Sequence, residues 1–159
     1  MPERPCIGKD VLDMRLTVRT NLAMRALMFC AINTDRTVRK SEIAEACNSS
    51  ENHLGVVINM LGQTGFIETA RGRNGGVRLK VAPESLSVGQ VFRVFEANVP
   101  FAECFAGSDN HCPLTASCRL RGHLSVALEA FYHALDDVTL ADLVKDNAGL
   151  HSLLQIEKA

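Results

Sequence analysis

No tryptophan and a single tyrosine occur in the 159 residues, which removes the stacked aromatic platform that holds single-stranded nucleic acid. No apolar run approaches the ~20 residues that cross a bilayer. The opening MPERPCIGKDVLDM has no apolar centre of the kind a secretory leader carries. The expected location is therefore the cytoplasm, with no membrane partner. No Ser/His/Asp set, carboxylate pair or phosphate loop stands out, and RGRNGG (71–76) lacks nucleotide-loop spacing. Neither an enzymatic activity nor a small-molecule substrate is expected. What remains is a globular composition, 47% hydrophobic and 22% charged. That is enough for one domain with a real core, or a small domain plus an oligomerisation arm.

The net charge of −1 conceals a polarity. Residues 14–40 carry Arg15, Arg19, Arg25, Arg36, Arg39 and Lys40 against one acid, Asp35, and residues 71–80 add Arg71, Arg73, Arg78 and Lys80 with none. From Glu129 to Ala159 the balance reverses to six acids and two lysines. A basic front and an acidic back point to a polyanion partner for the front.

The hydrophobic spacing is that of helices over much of the chain. TVRTNLAMRALMFCAIN, from Thr17, places Leu22, Ala26, Phe29 and Cys30 three and four apart, with Cys30 a buried thiol on the apolar side. Ser41 is the expected cap of a short helix ending near Cys47, and Asn48-Ser49-Ser50 breaks it. Ser49 or Ser50 caps a second helix through Leu54, Val57, Ile58 and Leu61, stopped at Gly65. Two short helices across such a turn form a helix-turn-helix. FIETA, a tight RGRNGG turn and VRLK then read as a β-hairpin, which completes a winged helix. Its tip holds Arg71, Arg73, Asn74, Gly75 and Gly76.

Beyond Pro83, SVGQVFRVFEAN is a helix capped by Ser87, with Val91, Val94 and Phe95 inward. From about Arg119 a longer helix carries Leu120, Leu124, Ala127, Leu128, Phe131 and Leu135 at heptad-like spacing. So long an apolar seam in so small a chain is expected to pair with a second copy. A short helix (TLADLV) follows from Thr139, and the tail beyond it reads as polar. The expected fold is mainly α with a small β-hairpin wing, a winged helix-turn-helix plus a long dimerisation helix. Its parts are an N-terminal extension (1–13), the winged helix-turn-helix (14–82), a connecting helix (83–101), a cysteine-rich loop (102–119) and the dimerisation helix with its tail (120–159).

Three of the six cysteines fall in that loop, with seven residues between Cys104 and Cys112 and five between Cys112 and Cys118. This is not the CxxC of zinc ribbons or thioredoxin-like sites. Wide spacing on a loop lets thiolates approach a larger object from separate directions, as an iron–sulfur cluster requires. A tetrahedral zinc using His111 as a fourth ligand, and a thiol–disulfide switch, remain as rivals. Cys6, in the extension, reads as a bystander.

The segments MRLTVRTNLAMRAL (14–27) and ENHLGVVINMLGQTGFIETARGRNGGVRL (51–79), the three-cysteine loop, and the CRLRG…LADLV ending together resemble the Rrf-two family of winged-helix transcription regulators. The resemblance implies a homodimer with crossing long helices, whose binding to double-stranded operator DNA is controlled by an iron–sulfur cluster on Cys104, Cys112 and Cys118. A 4Fe-4S cluster is expected, with 3Fe-4S or 2Fe-2S as alternatives. In that frame Ser50, Asn52 and His53 read base edges in the major groove. Arg71 and Arg73 reach the minor groove or phosphates, with Asn74, Gly75 and Gly76 shaping the tip. Arg15, Thr17 and Lys40 are candidate backbone contacts. The ECF…CPL…SC pattern is similar to the iron-responsive branch, and iron sensing is the expected signal; CRLRG and TLADLV are similar to the nitric-oxide-responsive branch, the alternative. In that second branch the position of Asn21 is often an Asp that ligates the cluster across the dimer. Asn21 is neutral and a poor anionic ligand.

Overall fold

A computed structural model describes residues 16–105 and 110–156. The expected extension (1–13), with Cys6, and Arg15 just beyond it lie outside the described residues. Helix α1, Val18–Ile32, starts where Thr17 turns extended and its hydroxyl accepts the Thr20 N–H. The stripe read from the sequence is its buried face: Leu22, Ala26, Phe29 and Cys30 all lie in the core. Helix α2, Lys40–Ala46, begins earlier than expected. Ser41 does not cap it, because the Glu42 carboxylate reaches back to the Arg39 N–H at 2.6 Å and fixes the first turn there. Burial alone would push the Glu42 carboxyl up; the Arg39 amide and the Arg36 guanidinium outweigh that and hold it below the usual range.

Asn48, with φ of 48°, turns the chain out of α2. Ser50 then caps α3, Glu51–Gln63, through the His53 N–H at 3.3 Å. Leu54, Val57, Ile58 and Leu61 are buried. The helix ends at Thr64, and Gly65, with φ of 79°, carries the chain into the hairpin. Strands β1, Ile67–Ala70, and β2, Gly76–Leu79, pair antiparallel with Thr69 opposite Val77. Val38 adds a third rung: its N–H donates to the Val77 carbonyl at 2.9 Å and its carbonyl accepts the Val77 N–H at 2.7 Å. The wing is thereby tied to the segment that enters α2.

After a short 3-10 turn at Pro83–Ser85, Ser87 caps α4, Val88–Glu96, with Gln90 reciprocating onto the Ser87 N–H. Val91 and Phe95 are buried, and Val94 packs half-buried against the core. Helix α5, Arg119–Asp136, leans on α4 through Phe131 against Phe92 (centroids 6.2 Å apart) and Arg93 over the Tyr132 ring at 4.6 Å. No residue of α5 is buried; Leu120 is 60% and Val126 71% exposed. Helix α6, Leu140–Val144, is capped by Thr139 and buries Leu140 and Val144. The tail read as polar forms one more helix, α7, Ala148–Leu154, started by Asn147. It is held by Asn33, whose amide donates to the Leu154 carbonyl at 3.0 Å while its oxygen accepts the Ile156 N–H at 3.2 Å.

One core joins these pieces: Leu27 and Phe29 of α1 meet Ile43, Leu54, Leu61, Leu86, Val91 and Leu140. Each such side chain contributes about 1.5–3 kcal/mol by leaving water. The fold is mainly helical with one two-stranded hairpin, a winged helix.

Candidate functional site

Cys104 sits in a 3-10 turn, Glu103–Phe105, and Cys118 is the residue from which α5 starts. Cys112 lies between them, and all three are free thiols, half-buried. The loop binds itself together. The Glu103 carboxylate accepts the His111 N–H at 2.9 Å, and the Asn110 side chain accepts the Cys112 N–H at 3.0 Å. Thr115 donates to the Cys112 carbonyl at 2.8 Å and accepts from the Asn110 amide at 2.9 Å. Phe101 and Phe105 stack edge to face, with Arg121 of α5 above Phe105 at 5.8 Å.

Among the described residues no three His, Cys, Asp or Glu side chains converge as they would around a metal ion. A cluster presents separate irons to separate thiolates, so its ligands stand further apart than those of one ion. Three unpaired, half-buried thiols fit that donor set. The other two described cysteines do not compete for it. Burial, and next the neighbouring Cys47, pushes the Cys30 thiol up to about 12, and burial raises Cys47 as well. Both are neutral core residues.

On the opposite part of the chain, Asn52 and His53 stand exposed on the first turn of α3. Ser50 beside them spends its oxygen on the cap. Sequence spacing missed two neighbours. Val56 is 54% exposed on α3, outside the buried stripe, where it can meet a thymine methyl. Arg25 donates to the Cys47 carbonyl at 3.2 Å and lines a cavity of about 290 Å³ with Asn21, Asn48, Ser49, Ser50 and His53. Asn21 therefore opens toward the start of α3, and no cysteine lines that cavity.

The other expected contacts divide. Arg71, Arg73 and Asn74 are exposed at the wing tip. Gly75 and Gly76 are packing residues: a Cβ on Gly75 would lie 2.3 Å from the Ala70 carbonyl oxygen, and one on Gly76 2.4 Å from that of Val38. The surface these glycines approach is their own chain. Lys40 pairs with Glu51 at 3.4 Å. Thr17 is engaged internally, its N–H and hydroxyl both donating to the Glu96 carboxylate, at 2.9 and 3.0 Å. No helix among the described residues is long and apolar enough to cross a membrane.

Residues 16–146 match the Rrf2 family, described as iron-dependent transcriptional regulators. The chain belongs to the Rrf2 family. This Rrf2 chain is 47% identical over 143 residues to the HTH-type transcriptional regulator NsrR of Geobacillus kaustophilus, covering 89% of this chain and 97% of that protein. It is 42% identical over 145 residues to protein aau3 of Rhizobium meliloti, covering 91% and 94%. In fold it is similar to T. potens IscR, with a TM-score of 0.68 at 22% identity over 92% of this chain and 95% of that one. It is also similar to CymR, the global cysteine regulator of B. subtilis, with a TM-score of 0.66 at 21% identity over 82% and 96%. The Rrf2 chain is a DNA-binding transcriptional regulator, not an enzyme.

Proposed function

We propose that this Rrf2 chain is a homodimeric repressor whose operator binding is controlled by an iron–sulfur cluster and relieved by nitric oxide. The observation that carries the reading is the 47% identity, over nearly the whole chain, to NsrR, the nitric-oxide-sensing regulator. The iron-responsive reading of the loop gives way to the alternative drawn from CRLRG and TLADLV. It keeps one supporting observation, the family's description as iron-dependent.

Cys104, Cys112 and Cys118 would hold the cluster, with 4Fe-4S the proposed form. When bound, it supplies iron that reacts with nitric oxide. The chain's own residues supply the frame. Glu103, Asn110 and Thr115 brace the loop around Cys112, and Cys118 fixes it to the head of α5. Asn21 offers only a neutral amide at the fourth-ligand position, so the anionic ligands are the three thiolates. Leu120, exposed at the head of α5, marks the part of the apolar stripe that a second copy covers, while Phe131 and Leu135 at its far end pack on the chain's own core. In each protomer Asn52, His53 and Val56 face the major groove, while Arg71 and Arg73 at the wing tip take phosphates or the minor groove. Lys40 and Arg15 remain candidate backbone contacts.

The test uses anaerobically purified chain and a duplex that it selects from a random-sequence pool. Cys112→Ala is expected to lose the visible cluster absorbance and the cluster-dependent mobility shift together. Operator affinity that stays at the wild-type value in that variant refutes the coupling. Titrating loaded protein with nitric oxide, and separately with an iron chelator, identifies the signal: release by nitric oxide at concentrations well below those of chelator is expected, and release by chelator alone returns the iron reading.

A further inference from the structure

Helix α1 has no acidic residue in its first turn, although a helix start favours negative charge. The missing carboxylate arrives from 79 residues away. Glu96, the last residue of α4, accepts the Thr17 N–H at 2.9 Å and the Thr17 hydroxyl at 3.0 Å, together with the hydroxyl of fully buried Thr20. Thr17 in turn accepts the Thr20 N–H at 3.2 Å, so the carboxylate and the Thr17 hydroxyl together hold the Thr17 and Thr20 amides at the start of α1.

Both directions out of this knot lead to the parts already described. Downstream, residues 97–102 alone separate Glu96 from the 3-10 turn that carries Cys104. Upstream, Val18, Asn21 and Leu22 are the next residues of α1, and they line the cavity shared with Ser49, Ser50 and His53 at the head of α3. Tyr132 of α5 lies within the field of the same carboxylate: burial first, and Glu96 second, raise its phenol. Glu96 thus ties the chain that leads into the loop to the first turn of α1, whose next turn borders the head of α3.

We infer that Glu96 is a positioning residue that transmits the state of the thiol loop to the reading helix, by tying the exit of α4 to the first turn of α1. The inference rests on the cluster-controlled reading above. When the loop holds its form, α4 ends where Glu96 meets Thr17 and Thr20, and α1 is seated against the start of α3. When the loop relaxes, the last turn of α4 moves with it and the cap on α1 is withdrawn.

The experiment compares wild type, Glu96→Ala and Glu96→Gln, each loaded anaerobically with ferrous iron and sulfide, and each again after cluster removal. Affinity for the selected duplex is read by fluorescence anisotropy, and amide exchange is followed at residues 16–22 and 48–54. Wild type is expected to lose about tenfold or more in affinity on cluster removal, with faster exchange in both segments. Glu96→Ala is expected to keep its cluster absorbance while its loaded and unloaded affinities fall within about twofold of each other. Glu96→Gln, which keeps an acceptor oxygen on the same stem, restores most of the difference. Thr20→Val, which removes one donor at constant size, substitutes if the alanine variant does not fold.

A Glu96→Ala protein with the wild-type ratio overturns the inference. So does a wild-type operator response with no change of exchange in residues 16–22, which leaves the cluster-controlled reading standing. A wild-type protein whose affinity ignores the cluster overturns that reading, and the inference with it. A merely structural Glu96 would lower the melting temperature of both states and leave their ratio alone.

Discussion

Replacing Gly89 with alanine drives α4 against α5. A Cβ there would lie 2.1 Å from Asp136 Oδ1 and 2.9 Å from the Asp136 backbone nitrogen. The carboxylate can turn away only by giving up its 2.9 Å bond from Arg93; the backbone nitrogen can retreat only if the end of α5 shifts. Overpacking of this kind costs about 1–3 kcal/mol. The same chemical change at Gly55 in α3, where an added Cβ meets nothing within 4 Å, removes a flexible residue from a helix and stabilises by roughly 0.5–1 kcal/mol. One kcal/mol moves the midpoint by about 2–4 °C in a chain of this size, so the two variants are expected roughly 3–16 °C apart with opposite signs. Thermal unfolding followed by helical circular dichroism measures this directly. Adding Asp136→Ala to Gly89→Ala recovers part of the loss, because the side-chain clash goes and the backbone one stays. A Gly89→Ala chain that melts with or above Gly55→Ala refutes the reasoning.

At the wing tip, Arg73→Ala is expected to weaken duplex binding and to reduce the slope of log affinity against log salt by about one; an unchanged slope removes Arg73 from the phosphate contacts. In the cluster-free native chain, a thiol reagent followed by mass mapping should label Cys104, Cys112 and Cys118 promptly and reach Cys30 and Cys47 only on unfolding. The sign follows from burial: a Cys30 thiol pushed up to about 12 stays protonated across the working range, and the thiolate is the reactive form. Prompt labelling of Cys30 contradicts its place in the core.

The helices were legible because their signals are local. The Leu54, Val57, Ile58 and Leu61 stripe, the cap at Ser87, the Ser49-or-Ser50 start of α3, the short helix after Thr139 and the stop at Gly65 depend on neighbours within a few residues, and the structure has each, with Ser50 the cap of α3. Ser41 misled because a serine before an apolar run is a weaker start than a Glu42 that closes on Arg39 with help from Arg36. Helix α7 was hidden for the opposite reason. AGLHSLL is short and weakly patterned, and its place depends on Asn33, 121 residues earlier. In the site, cysteine spacing located the loop, but nothing in it revealed the Glu103–His111 brace. Gly75 and Gly76 read as shaping the tip, but nothing in their spacing showed that each is crowded against its own chain, at Ala70 and Val38. Val56 escaped because exposure is a property of the packed helices rather than of spacing, and Arg25 was legible only as one charge of the basic front.

Helix α1 is completed from far away at both ends, by Glu96 at its start and by residues 154–156 at its finish, across 79 and 121–123 residues. During synthesis the first helix of the DNA reader emerges early, yet the groups that seat it emerge late. Contacts this distant in sequence carry the loop-closure entropy that slows folding. A nascent chain long enough to include the wing still lacks both fastenings of α1. The start of α1 can be fastened once Glu96 is made, whereas its end waits for residues 154–156, which follow the three-cysteine loop in the chain.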